Sequence, residues 1–492
     1  MVHGSASTVY NSYFHMAEET KQERGLEYWM ERVIQEADKA RVGFEADPVH
    51  DLRVAIRRCR SMGDGFRMLD PNPTWQKMRK AGKAVFSALG ELRDVQVQME
   101  WLDKLSQPGD PVHNKLMAYF QHREAELKQA ASIALANFDT AQWLQWAKEL
   151  GEAAARIPIG GDIFQVIALE RWNDARELHR VAMRNRSKVA LHQVRIGIKK
   201  FRYIVENFLP ALHEAWIRDM KDIQDLLGEI HDLDVLTETA LRIRAYDDLA
   251  QRTRWRSAIT AERSKRLDKY RSRMIGRESL WMIWRSGLPS GEALRKAILK
   301  KFELWSSLRD PDRLHTEAVL ELSLQLFDFY VAERLLKAAE IQGVTQRDLL
   351  TVAVLGHEAG RLKSGSHHKK VVKVFDQLDV PPGWQPFHLH LAGMIARYHR
   401  GAPPNEGQKK YAGLRKAARG VVDRLAGVIR LADSIERQRD LAAREVNIAR
   451  NNGNILITAA GVHDRTRQAE RIAAARHLLE STCGVPILVR PA

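Results

Sequence analysis

The sequence predicts a mainly α-helical protein: an internally duplicated helical-bundle domain with pseudo-twofold symmetry, followed by an all-helical domain with a small strand–helix–strand tail at its C-terminal end. Three observations lead there. Apolar residues recur three and four apart through almost every long segment, which is the helical period. A block of the first half returns in order in the second quarter of the chain, as a duplicated unit would. Strand-like alternation is confined to roughly the last forty residues.

Taken in order, Lys21 to Lys39, Pro48 to Met68, Met78 to Leu105 and Val112 to Leu135 read as helices. Asp47-Pro48, Asp70-Pro71-Asn72-Pro73 and Gln107-Pro108-Gly109-Asp110-Pro111 break them apart. After the run Gly287-Leu288-Pro289-Ser290-Gly291, helices are expected over Glu292 to Phe327, Thr345 to Arg361, Phe387 to His399 and Leu414 to Arg450. Asn454 to Thr458 and Val485 to Val489 alternate as strands around a helical Arg465 to Glu480. The domain boundaries follow. A first domain spans 1–290, with repeats near 21–150 and 165–285. A linker helix covers 291–312, and a second domain 313–492.

The repeat is explicit. Val49-His50-Asp51-Leu52-Arg53-Val54-Ala55-Ile56-Arg57-Arg58-Cys59-Arg60 returns as Leu191-His192-Gln193-Val194-Arg195-Ile196-Gly197-Ile198-Lys199-Lys200-Phe201-Arg202. Phe66 then matches Phe208, and Leu89-Gly90-Glu91-Leu92-Arg93-Asp94-Val95 matches Leu227-Gly228-Glu229-Ile230-His231-Asp232-Leu233. On a helical wheel His50, Arg53, Arg57 and Arg60 share one face within roughly 80°. Leu52, Ile56 and Cys59 lie opposite, and the second copy repeats the pattern.

Charge says what such a face is for. Across 492 residues, 78 Lys and Arg stand against 62 Asp and Glu, a net charge of +16, which points to an anionic partner. Evenly spaced cations on one helix face neutralise successive phosphates of a linear polyanion, and histidine adds a donor whose charge follows pH. A solvated basic face is the ordinary reading of one such helix, but recurrence of His and three cations at the same offsets favours anion binding. Lys83 and Arg93 add cations on neighbouring segments. The stripe is not interleaved with aromatics that would stack bases, so no specific nucleic acid is expected. Two distant cysteines, Cys59 and Cys483, exclude a disulfide framework, and no apolar run reaches membrane-spanning length. A reduced cytoplasmic protein is expected, with no membrane association and with self-association left open.

The blocks VHDLRVAIRRCR with LGELRDVQV, and LHQVRIGIKKFRY with LLGEIHDLDVL, resemble the two halves of the conserved histidine α-helical domain (CHAD) over about Lys21 to Arg285. The resemblance implies a pseudo-twofold helical domain whose basic central groove binds inorganic polyphosphate. It assigns binding to His50, Arg53, Arg57, Arg58, Arg60, His192, Arg195, Lys199, Lys200 and Arg202. Such binding requires no cofactor, and polyphosphate granules become an expected location.

In the second half, His315, the pair His357-Glu358 and the distant Asp433 form the kind of set with which HD-type phosphohydrolases gather a divalent metal. Glu358 stands where an HD pair has Asp, although usable metal–ligand distances scatter by only about 0.2 Å. A zincin is excluded, because Arg361 sits where the second histidine is needed. The segment from about His315 to Val489 resembles the C-terminal helical, HD-like domain of the exopolyphosphatase/guanosine pentaphosphate phosphatase family. LHTEAVLELSLQLFD, DLLTVAVLGHEAGRLKSGSHHKK and MIARYHRG carry the likeness. In that family the domain helps hold polyphosphate, and hydrolysis belongs to actin-like domains that this sequence does not contain. Arg361, Lys363, His367, His368, Lys369, Lys370, Arg397, His399 and Arg400 are therefore expected as phosphate contacts.

The leading expectation is a polyphosphate-binding protein with no catalytic residue. The alternative is a metal-dependent phosphohydrolase acting on polyphosphate or a phosphorylated nucleotide, with metal held by His315, His357, Glu358 and Asp433 and with Glu358 as its catalytic group.

Overall fold

The computed structural model describes residues 25–107, 109–185, 187–359, 367–436, 446–460, 462 and 467–492, the side chains of 367–369 excepted. The chain divides into two compact units, Met1–Pro289 and Ser290–Ala492. It is mainly α-helical, and among the described residues the small strands all lie in the second unit.

The first unit is built from α1 (Leu26–Ala40), α2 (Ala46–Arg67), α3 (Thr74–Leu105), α4 (Pro111–Ala136) and α5 (Thr140–Ala155). There follow α6 (Asp162–Asn185), α7 (Lys188–Phe208), α8 (Pro210–Arg242), α9 (Leu249–Met274) and α10 (Leu280–Ser286). Local chemistry starts and stops them. Asn72 N donates to Asp70 Oδ1 and Thr74 N to Asn72 Oδ1, which folds the Asp70–Pro73 break into α3. Asp110 caps α4 with Pro111 behind it, Ser187 caps α7 and Asp248 caps α9.

Packing reproduces the duplication. The pairs α1/α2, α2/α3 and α3/α4 of the first repeat correspond to α6/α7, α7/α8 and α8/α9 of the second. The repeats meet through equivalent helices, α2 on α7 and α3 on α8, as a twofold axis between them requires. On that axis the matched residues Phe66 and Phe208 touch edge to face with ring centroids 5.1 Å apart, and Phe164 stacks on Phe208 at 4.0 Å. The approach is close because position 65 is glycine: a Cβ there would come within 2.4 Å of the Phe208 ring. Gly197 works likewise on α7, where a Cβ would lie 2.9 Å from Leu178 and 3.1 Å from the Ala175 backbone.

The second unit comprises α11 (Gly291–Ser307), α12 (Arg313–Ala332), β1 (Glu340–Ile341), β2 (Val344–Thr345), α13 (Gln346–Leu355), α14 (His367–Phe375), α15 (Pro386–Arg397), α16 (Lys409–Ala412) and α17 (Lys416–Glu436). Then come β3 (Val446–Asn451), β4 (Asn454–Ala459), α18 (Arg467–Cys483) and β5 (Ile487–Pro491). Three expectations change. The single helix expected from Glu292 to Phe327 is two, parted at Asp310-Pro311-Asp312, since proline cannot continue a helix interior. Its first part, expected as a linker, packs into the unit: Arg295 forks onto Asp348 at 2.8 Å twice, and Trp305 meets Phe375. The helix expected to reach Arg450 is described as far as Glu436, and Val446–Asn451, expected within it, is a strand. Asn452 and Gly453 turn it back with positive φ, 48° and 79°, so β3 pairs antiparallel with β4. β4 then pairs parallel with β5 across α18. Gln342-Gly343 makes the same kind of turn between β1 and β2.

Candidate functional site

In the first unit the apolar positions of the repeated block are buried in both copies: Leu52, Ile56 and Cys59, and Val194, Ile198 and Phe201. That burial fixes the rotation of α2 and α7 and turns their cations toward the axis. Arg53, Arg57, Arg195 and Lys199 are half-buried there. None of the four makes an ion pair among the described residues, and the Nε atoms of Arg57 and Arg195 are buried without a hydrogen-bond partner. Arg57 lies over the Tyr203 ring at 5.7 Å, and Arg53 over Phe86 at 5.9 Å.

The electrostatics show that the two repeats share this face. Burial pushes Lys199 down to about 7, and the charges of Arg195, Arg57 and Arg53 push the same way against Asp94. Asp232, the equivalent of Asp94, is pushed up to about 6 by burial and by Asp94, against Arg195 and Lys199. Burial also lowers His50, His192 and His231, with neighbouring arginine charges adding to it. The groups acting on His50 all belong to the first repeat and those on His192 to the second. The cations one and two turns further along are the ones that meet across the axis.

The remaining candidates divide by what holds them. Arg58 pairs with Glu206 and hydrogen-bonds Asn207 at 2.9 Å, which ties α2 to α7. Arg202 lies 3.6 Å from Glu206 and donates to Gln224 at 3.0 Å, and Arg93 pairs with Glu100 at 3.1 Å. Arg60 donates to the Arg79 carbonyl and lies over Phe86. These side chains have partners and brace the bundle. His50, Lys83 and Lys200 are exposed, and the His192 ring lies tilted beside that of His231, with centroids 4.8 Å apart. Sequence reasoning passed over Tyr203 and Phe86, whose rings back the arginines. Both lie on the repeat helices at positions that the repeat itself does not match, so they gave no signal.

In the second unit, four expected residues come together from three helical regions. Single ligand atoms of His315, His357, Glu358 and Asp433 lie within 4.8 Å of one another, and all four residues are buried. His315 Nε2 lies 3.2 Å from Asp433 Oδ1. His357 donates Nδ1–H to the Val354 carbonyl at 2.6 Å, which leaves its buried Nε2 without a partner. Burial lowers His357 against the pull of Asp433 and Glu358. Burial alone would raise Asp433, but hydrogen bonds from His315 and Arg400 outweigh it and hold the carboxyl well below its ordinary value.

His399 and Arg400, expected on a phosphate-gripping surface, lie inside this cluster. The His399 ring is 2% exposed and stands against His357 at 5.1 Å. Arg400 forks onto Asp433 at 3.0 and 2.8 Å and reaches Glu358 at 3.3 Å. The reason is the tight turn after α15, which carries both inward and which Arg430 braces by donating to the Tyr398 and Gly401 carbonyls.

A divalent metal fits this arrangement poorly. Donors about 2.1 Å from one ion lie at most about 4.2 Å apart, so the cluster is open by comparison. Both Asp433 oxygens already face a guanidinium, which would stand beside the ion as a like charge. Of the HHKK segment, Lys370 is half-exposed on α14, and the side chains of His367, His368 and Lys369 lie outside the described residues. So do Arg361 and Lys363. No helix among the described residues is long and apolar enough to cross a membrane.

No curated protein matches the chain. Residues 26–241, which run from α1 through nearly the whole of α8 and contain both copies of the cationic block, match the family model of the CHAD domain.

Proposed function

We propose that the first unit binds inorganic polyphosphate along the face formed by Arg53, Arg57, Arg195 and Lys199, flanked by His50, His192, Lys83 and Lys200. One observation carries the reading: four cations from two repeats converge half-buried, none in an ion pair among the described residues, with the carboxylates of Asp94 and Asp232 acting on them from beyond ion-pair distance. Like charges held together out of water are unfavourable, and a chain of phosphates supplies the missing negative charge at several points at once. The CHAD match over 26–241 supports the same ligand class. Binding of this kind needs no cofactor and no catalytic residue. On the sequence resemblance alone, His367, His368, Lys369 and Lys370 are proposed as auxiliary phosphate contacts, and polyphosphate granules in the cytoplasm as the place of action.

Calorimetry with long-chain polyphosphate at two salt concentrations tests this. Affinity falls steeply with salt, because each neutralised phosphate releases a condensed counterion, as for nucleic acids. Arg57→Glu and Lys199→Glu weaken binding most; binding unchanged by both would end the assignment. RNA at matched phosphate concentration competes poorly if the ligand is polyphosphate. The hydrolase alternative has in its favour the convergence of His315, His357, Glu358 and Asp433, and against it the guanidinium of Arg400. Polyphosphate incubated with the chain is therefore expected to remain intact.

A further inference from the structure

We infer that the Arg400 guanidinium is the built-in cation of the His315/His357/Glu358/Asp433 cluster, holding a latent divalent-metal site closed as an ion-pair core.

The four side chains have the composition of a transition-metal site, two imidazoles and two carboxylates. Their hydrogen bonds are arranged for a different cation. The Nη2 atom of Arg400 lies 2.8 Å from Asp433 Oδ1 and 3.3 Å from Glu358 Oε1, between the two carboxylates. Its Nε lies 3.0 Å from the other Asp433 oxygen, so the fork is bidentate. Two buried carboxylates require positive charge nearby, and Arg400 supplies it from a side chain that is itself largely buried.

The two histidines differ in readiness, and the difference supports the same conclusion. A ligating imidazole gives one ring nitrogen to the metal and donates the other N–H to an acceptor. His357 meets that requirement: Nδ1–H donates to Val354, and Nε2 points unpartnered into the cluster. His315 does not. Its Nε2 carries the hydrogen that Asp433 accepts, and its buried Nδ1 has no partner to receive the N–H of the ligating tautomer. Donors for a metal are present, but the guanidinium and the His315–Asp433 bond occupy them. Removing the guanidinium frees Asp433 Oδ2, leaves Oδ1 to His315 alone, and takes the guanidinium charge away from the buried Asp433 carboxylate. A first-row divalent ion such as manganese(II) or cobalt(II) is then the chemistry the cluster accepts.

The test is cobalt(II) and manganese(II) uptake by the full chain after dialysis. It compares the unaltered protein, His357→Gln, Arg400→Met and the double variant Arg400→Met/His357→Gln. Surface histidines bind some metal in all four, so the readout is the difference that His357 makes. The unaltered protein and His357→Gln should hold the same amount. Arg400→Met should hold one equivalent more than the double variant, with a cobalt d–d absorption band that the double variant lacks. Loss of one equivalent on going from the unaltered protein to His357→Gln would overturn the inference, and so would a folded Arg400→Met without the extra equivalent. A measurement on the unaltered chain guards against misfolded variants. Its melting temperature should be the same in chelator and in millimolar manganese(II), whereas a rise of several degrees would show that the native cluster already binds the ion.

Discussion

Arg57 and Lys199 hold equivalent places in the two repeats and face one another across the axis closely enough that the arginine charge depresses the lysine. Removing the charge of Lys199 should therefore relieve strain in the free protein while weakening its grip on an anion. Lys199→Met is expected to melt higher than the unaltered chain at neutral pH and to bind polyphosphate at least about tenfold more weakly. Calorimetry and thermal unfolding of one sample check both halves.

The pH dependence of binding has a definite sign. Lys199 titrates near 7 and Asp232 near 6, so raising the pH from 5.5 to 8 removes positive charge at one and adds negative charge at the other. Polyphosphate affinity should fall over that interval, and binding near pH 7 should take up protons. Calorimetry in buffers of differing ionisation heat reads the uptake directly; an affinity that rises with pH would contradict the assignment of the face.

Stability of the free protein should move the other way. Lys199 titrates lower folded than its ordinary 10.5, so between about 7 and 10.5 the unfolded chain holds more protons. The contribution of this residue is complete above 10.5 and is lost as pH falls through 7. Urea unfolding at pH 7 and pH 9 should show a gain at the higher pH that is absent in Lys199→Met.

Glu206 separates bracing from binding. It accepts Arg58 and lies 3.6 Å from Arg202, so Glu206→Ala leaves two guanidinium groups without their carboxylate. The variant is expected to lose about 2 kcal/mol of stability, in the range for hydrogen bonds to charged groups. It should also bind polyphosphate more tightly than the unaltered protein.

The aromatic seam on the axis should carry much of the cohesion between repeats. Phe208→Ala removes a ring that touches both Phe66 and Phe164 and is expected to cost about 3–5 kcal/mol, read by urea unfolding. Gly65→Val should also destabilise, since a Cβ at 65 meets the Phe208 ring.

What the sequence shows and what it hides have the same cause. Burial at Leu52, Ile56, Val194 and Ile198 follows from helical spacing, so the duplicated helices and their cationic faces are legible in a one-dimensional pattern. Arg202 and Arg93 meet Glu206 and Glu100 four and seven residues along their own helices, which the sequence does record; that Glu206 also takes Arg58 depends on α7 packing against α2, and no local spacing records that. The set His315, His357, Glu358 and Asp433 is legible as composition. The turn that swings Arg400 into it is a three-dimensional fact. The β3–β4 hairpin did have a signal, Asn452-Gly453, obscured by the helical period of the residues before it.

A directional polymer such as RNA presents different faces when its ends are exchanged, so a site reading it works in one orientation. Inorganic polyphosphate reads the same from either end. So does a surface on which α2 and α7 are related by a half-turn, with Arg53 answering to Arg195 and Arg57 to Lys199. Both orientations of an approaching chain are then productive, and so is every stretch along it. The number of ways to bind grows with polymer length, so apparent affinity per molecule should rise with chain length even where each contact is unchanged. The duplication thus gives long polymers a statistical advantage over short ones without any device that measures them.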